Sequence, residues 1–300
     1  MQVTDALRSF GGCARAKQLR ALASRRAIET AVRDGSVTRT GRVYAVTPST
    51  RAPVLANELQ GERSHRSAAE HWGLDLPPGD RRVDITVPNK ARRTKIPDDA
   101  LLHYRDHESE EVDGDVTTPL RTVLDCLRDE PLRTALSVGD SALRLQLVSW
   151  EALSEAVRRL RGPRSRLARE RLTMLDARAA NAFESACRAI LLEAGITGFQ
   201  PQVEIRHRRR WVGRVDLAHR VLRIVIECYG YATHGDLDAF VRDLVRHTEL
   251  AAAGWRTIRV TWEQVMFRPQ WVLECVRDVI ADVERAQLTV KPSGEASAAA

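Results

Sequence analysis

No run of apolar residues in the 300-residue chain approaches the length a membrane-spanning helix needs, about 18 residues. Met1 to Phe10 also lack the basic-then-apolar order of a secretory signal. A cytoplasmic protein with no membrane partner is expected. Cysteine is scarce: Cys13, Cys126, Cys187, Cys228 and Cys275 are odd in number and widely separated. They exclude a disulfide framework and a Cys-x-x-Cys zinc site, and are expected to be buried thiols. Lysine is nearly missing. Only Lys17, Lys90, Lys95 and Lys291 contribute to the 47 basic side chains, so the positive charge is almost all guanidinium.

What is present is a globular composition. The hydrophobic fraction of 43% is enough for two or three cores in a chain of this length. A net charge of +7 suits a polyanionic partner, because phosphate contacts made by basic side chains supply most non-specific nucleic-acid affinity. DNA is the expected partner, and no small-molecule cofactor is expected.

An α/β multidomain chain is the expected fold class. In residues 1–50, apolar residues recur at helical spacing through Leu19, Leu22, Ala23, Ala27, Ile28, Ala31 and Val32, and Asp34-Gly35 stops the helix. Two short β-rich runs flank Gly41. Helices followed by a hairpin suggest a winged helix whose recognition helix runs from Ser24 to Asp34, with Ser24 as N-cap. Arg25, Arg26 and Arg33 would be its DNA-facing residues. After a loop around Thr47 to Pro53, residues 51–150 read as a small α/β unit, with helix from Ser64 to Trp72, strand from Arg82 to Val87 and a helix restarting at Pro119. Residues 151–176 are expected to be a helical basic linker. Its seven arginines from Arg158 to Arg171 suit either a solvated surface or a DNA-backbone strip. A third domain is expected over 177–286 and a disordered tail over 287–300.

The third domain carries the chemistry. Phe183, Ala186, Cys187, Ile190, Leu191 and Ala194 form one apolar helix face, with Glu184 beside it. Glu184 either pairs with Arg188 one turn on or points along the edge of the sheet the helix covers. Strand-like runs follow at Pro201 to Arg206, Trp211 to Ala218 and Leu222 to Tyr229. If Asp216 opposes Glu227 in an antiparallel pair, Leu217 faces Ile226, Val215 faces Cys228, and the carboxylates share the other face. Opposed carboxylates repel unless a cation lies between them, and a hard divalent ion, Mg²⁺ with Mn²⁺ as substitute, answers that need. Asp216 and Glu227 would be metal ligands, and Glu184 would orient the attacking water. The turn is the weak point of this register, since His219-Arg220-Val221-Leu222-Arg223 holds no Gly, Asn or Pro. His234 follows the strand and is either a surface residue or a general acid or base. On the next helix, Arg242 and Arg246 either reach phosphate or the acids of the site, or flank Asp243 in a surface charge lattice.

These residues carry a resemblance. Phe183-Glu184, Arg214-Val215-Asp216, Ile226-Glu227, Gly230 with His234, Arg242-Asp243, Gly254-Trp255 and Arg259-Val260-Thr261-Trp262 stand in an order and spacing similar to a domain family of unknown function. That family is related to the very-short-patch mismatch-repair endonucleases, a branch of the PD-(D/E)xK superfamily. The resemblance implies a restriction-endonuclease-like mixed sheet flanked by helices, and Mg²⁺-dependent hydrolysis of DNA with Glu184, Asp216, Glu227 and His234 as catalytic residues. Tyr229 stands where the superfamily's Glu-x-Lys lysine belongs, so either another group substitutes or the domain binds without cutting. Residues 1 to about 150 resemble AbiEi-type antitoxins and regulators through the winged-helix pattern, Ser64-His65-Arg66-Ser67-Ala68-Ala69 and Thr117-Thr118-Pro119-Leu120-Arg121. That likeness implies DNA binding and autoregulation. The functional expectation is a DNA endonuclease or nickase; the alternative is a non-catalytic DNA-binding regulator.

Overall fold

The computed structural model describes residues 2–8, 13–40, 43–46, 51–92, 95–229 and 237–290. They form an α/β protein of two units, one of Met1–Pro131 with Leu145–Met174 and one of Leu132–Arg144 with Leu175–Ala300.

The first unit begins with α1 (Val3–Arg8), β1 (Cys13–Arg15), α2 (Ala16–Leu22), α3 (Arg25–Arg33), β2 (Val37–Thr40) and β3 (Val43–Val46). The strands pair antiparallel in the order β1-β3-β2. Ser24 caps α3 as expected, its Oγ accepting from Ala27 N at 3.3 Å. Leu19, Ile28 and Ala31 are buried with Leu7, Val37 and Tyr44, which fixes the helices on the sheet, whereas Leu22 is exposed.

The expected loop up to Pro53 is instead partly helix: α4 spans Arg51–Leu59 and buries Val54, Leu55, Ala56 and Leu59. Pro53 hid it from the sequence pattern, yet in the first turn a proline removes a donor that has no intrahelical acceptor. Next come β4 (Glu62–Arg63), α5 (His65–His71), β5 (Val83–Val87), β6 (Ala100–Tyr104), β7 (Val112–Asp113), β8 (Val116–Thr117) and α6 (Pro119–Asp129). The strands form a mixed sheet in the order β6-β5-β4-β8-β7.

α7 (Leu132–Arg144) belongs to the second unit, and the chain returns to the first for α8 (Trp150–Arg159) and α9 (Ser165–Leu172). The stretch read as a linker is therefore part of a packed unit, and α7 leaves the middle region to which the sequence pattern assigned it. The arginines of that stretch are largely occupied. Arg158 and Arg159 pair with Glu155, Arg166 pairs with Glu170, and Arg161, Arg169 and Arg171 donate to backbone carbonyls.

The second unit packs α7 and α10 (Ala182–Glu193) with a sheet of β9 (Phe199–His207), β10 (Arg210–His219), β11 (Ile224–Tyr229) and β12 (Arg256–Thr261). α11 (Leu237–Ala252) lies between β11 and β12, and α12 (Trp262–Phe267) and α13 (Pro269–Val290) follow. α13 extends into the region expected as tail, so 287–290 are helical. The strand order is β12-β11-β10-β9, antiparallel except for the parallel β11–β12 pair that the α11 crossover requires. The apolar face of α10 forms one core with Leu217, Ile226, Val260, α12 and α13. Inside this unit Asp140 of α7 accepts from Arg188 Nη1 at 2.9 Å and from Ser185 Oγ at 2.7 Å. Arg188 therefore pairs with Asp140.

Candidate active site and its surroundings

The β10–β11 register is the one the apolar residues specified: Leu217 faces Ile226 and His219 faces Ile224. The same register sets Asp216 opposite Glu227. The turn uses no glycine. His219 Nδ1 accepts from Leu222 N at 3.2 Å, and Arg223 takes the left-handed conformation at φ +53°. The glycine belonging to this turn is distant in sequence: a Cβ on Gly198 would lie 2.5 Å from the His219 ring.

Alternation fails at one point. Val215 does not join Leu217 but packs with Val203, Ile205, Val212, Ala218, Val225 and Leu250 in a second core. Level with Asp216 on β9 stands Gln202, a left-handed residue at φ +53° within an extended strand. A left-handed residue turns a strand out of regular pleat. Gln202, Asp216, Glu227 and Arg259 thus lie in one row across four neighbouring strands.

α10 brings the third acid. Asn181 caps this helix, its Oδ1 accepting from Phe183 N at 2.9 Å and Glu184 N at 3.1 Å. Glu184, 2% exposed, folds back to accept from Ala180 N at 2.9 Å and Asn181 Nδ2 at 3.0 Å. Gln202 Nε2 donates to Glu184 Oε2 at 3.0 Å, so an amide from β9 holds the helix acid. Gln202 is the site residue that the sequence pattern missed. A glutamine in an alternating strand reads as an ordinary exposed position, and only the β9–β10 register singles it out.

The electrostatics of the row are unbalanced. Asp216 Oδ2 accepts from Cys228 N at 2.8 Å. Burial pushes Glu227 up to about 8, with Arg246 opposing and Asp216 adding to the rise. Burial likewise raises Asp216 and Glu184. Glu227 is 3% exposed and its Oε1 has no hydrogen-bond partner. The nearest cation, Arg246 Nη2, stands 3.5 Å from Glu227 Oε1 but 2.6 Å from Asp243 Oδ1. Arg246 therefore flanks Asp243 and also reaches the acid Glu227. Asp243 also accepts from the Tyr229 hydroxyl, the side chain at the lysine position. Arg242 is exposed on α11, and Arg25, Arg26 and Arg33 are exposed on α3, where Arg25 pairs with Glu29 at 2.7 Å. His234 lies outside the described residues.

A second polar cluster, not anticipated from the sequence, is buried in the first unit. His65, Asp125 and Asp129 offer ligand atoms within 4.8 Å of one another, a closeness that Glu184, Asp216 and Glu227 do not reach. Arginine already neutralises that cluster: Asp125 binds Arg105 and Arg121, and Asp129 binds Arg105 at 2.9 Å. Burial opposes ionisation of Asp125, but His65 and the two arginines hold it at about 2. His65, at φ +46°, stacks on His103 with ring centroids 3.6 Å apart. The carboxylates of this cluster have arginines in hydrogen-bond contact, whereas Glu227 has Arg246 at 3.5 Å, a cation that stands closer to Asp243.

No protein-family model matches the chain. It is similar to two uncharacterized proteins of Mycobacterium tuberculosis, MT2308 of strain CDC 1551 / Oshkosh and Rv2248 of strain ATCC 25618 / H37Rv. Each is 29% identical over 206 residues, covering 68% of this chain and 75% of the relative. Among solved structures, the RV2827C protein of M. tuberculosis aligns over 69% of this chain and 88% of its own at 16% identity, with a TM-score of 0.33. That structural similarity is too slight to carry an argument, and the relatives' names state no activity. Among the described residues, no helix is long and apolar enough to cross a membrane.

Proposed function

We propose that the second unit is a divalent-metal-dependent DNA endonuclease or nickase of the PD-(D/E)xK type, and that α1 to β3 form a winged helix that brings it to DNA. The observation that carries this reading is the Glu184–Asp216–Glu227 constellation: three carboxylates all raised by burial, with Gln202 bound to Glu184 and one buried Glu227 oxygen that accepts no hydrogen bond. A hard cation fits that orphaned oxygen, and Asp216 and Glu227 would hold it. When bound, Mg²⁺ supplies Lewis-acid stabilisation of a phosphodiester and a more acidic water. Cys228 N holds the Asp216 carboxylate, and Glu184, held by Ala180 N, Asn181 and Gln202, would orient that water. Arg246 and Arg242 supply positive charge beside the scissile phosphate. Nicking of supercoiled plasmid in Mg²⁺ or Mn²⁺ tests the proposal.

The second reading is a non-catalytic DNA-binding regulator of the AbiEi type. One observation favours it: the side chain at the lysine position is Tyr229, and its hydroxyl is already bound to Asp243. Both readings place DNA on α3. Replacing Arg25 and Arg26 with alanine is expected to weaken duplex binding about tenfold or more at low salt. It should also lower the slope of log affinity against log salt by about 2, one unit per lost phosphate contact. The Glu29 pair does not prevent this, because an exposed ion pair is readily exchanged for phosphate. A fluorescence-anisotropy titration at several salt concentrations measures both quantities. Binding that survives Asp216→Ala without any nicking by the wild type would favour the regulator.

A further inference from the structure

We propose that the β9–β10 hairpin of the second unit is a contact surface for unpaired DNA, on which Trp211 stacks a base while arginines hold the phosphates on either side of it. DNA as the partner rests on the reading above, but the surface itself needs neither metal nor cleavage.

The hairpin carries charge of one sign. From Pro201 to Arg214 the sequence holds five arginines and a single carboxylate, Glu204. Val203, Ile205, Val212 and Val215 turn into the second core, which leaves Glu204, Arg206, Trp211 and Arg214 exposed on the other face. The bulge between Trp211 and Gly213 adds one residue to β10, so Trp211 and Arg214 share that face although three positions apart. The register sets Trp211 directly opposite Arg206. Arg208 and Arg209 form the turn, both left-handed, at φ +48° and +67°. Two such positions favour Asn-Gly, and arginine at both puts two guanidiniums at the tip. Among the described residues, Arg206, Arg208, Arg209 and Arg214 make no side-chain hydrogen bond or ion pair; Arg210 alone is answered, by Glu249 at 2.5 Å. That sets them apart from the arginines of 158–171, most of which are occupied.

Exposed guanidiniums specify a polyanion and no more, and the tryptophan narrows the choice. Trp211 is 56% exposed, more than any other tryptophan of the chain. An indole among unpaired arginines matches the chemistry of a single strand, whose bases offer a free face to stack and whose phosphates take the charge. The bases of an intact duplex stack on one another and offer no such face. At about 3.3 Å per residue, Trp211 stands about 15 Å along β10 from Asp216, so a base held there lies several nucleotides from the acids.

The test titrates the full chain, in chelator, against labelled oligothymidylate, its duplex with oligoadenylate, and oligouridylate, read by fluorescence anisotropy. Trp211→Ala, an exposed change, is expected to weaken oligothymidylate binding about tenfold, the loss of one base stack, and to leave duplex binding nearly unchanged. Trp211→Phe is expected to keep most of the affinity. Replacing Arg208 and Arg209 together with glutamine is expected to lower the slope of log affinity against log salt by about 1.4, about 0.7 for each phosphate contact on a single strand. Failure to bind oligothymidylate, unchanged affinity in Trp211→Ala, or an equal loss of duplex and single-strand affinity overturns the proposal. Tighter binding of oligouridylate overturns DNA as the partner. Trp211-dependent single-strand binding by a protein that never nicks plasmid supports this surface and counts against the nuclease, whereas nicking with no effect of Trp211 on binding does the reverse.

Discussion

Asp216→Ala is expected to abolish metal-dependent plasmid nicking, with a fall on the order of 10²–10³-fold or greater. The reason is the position of Asp216 in the row. It is fixed by Cys228 N, and on the proposed function its loss would remove a metal ligand. Asp216→Asn separates charge from shape. It keeps an acceptor for Cys228 N, so the fold should be unchanged in circular dichroism while nicking still falls by a similar factor. A gel assay of supercoiled-to-open conversion reads this directly. Nicking by Asp216→Asn at the wild-type rate would contradict the assignment.

The second large effect is on stability. With Glu227 raised to about 8 in the fold, the unfolded chain ionises it near the ordinary carboxylate value while the folded protein still holds the proton. Stability of the metal-free protein therefore falls as pH rises between the ordinary glutamate range and about 8. Glu227→Gln removes that dependence, and the metal-free variant is expected to exceed the wild type at pH about 8 by on the order of a few kcal/mol. A divalent ion reverses the order. If Asp216 and Glu227 hold it, its binding would favour the ionised Glu227 and would stabilise the wild type by about 2.7 kcal/mol at a concentration 100 times its dissociation constant, with no comparable gain in the variant. Thermal or urea unfolding at two pH values, with Mg²⁺ and with chelator, gives the full comparison. Equal responses to Mg²⁺ in wild type and Glu227→Gln would remove Glu227 from the ligand set.

The acid pair was legible because side-chain period fixes register. Leu217 and Ile226 find a common core only if Asp216 stands opposite Glu227, and no turn motif was needed to see it. The α10 face and the Ser24 cap were legible for the same reason, since both are local periodic signals. Non-local contacts were not. The turn is held by the His219 ring over Gly198, some twenty residues earlier, and α7 joins the second unit through Asp140 and Arg188. Gln202 acquires its place from a register that depends on β9, and its left-handed backbone has no sequence signature in a residue other than glycine.

A crystal soaked in Mn²⁺ and measured at the manganese absorption edge tests the carboxylate assignment most directly. The expected result is one anomalous peak between the Asp216 and Glu227 carboxylates, absent from Glu227→Gln crystals soaked in the same way. A peak among His65, Asp125 and Asp129, or no peak beside Asp216, would contradict it.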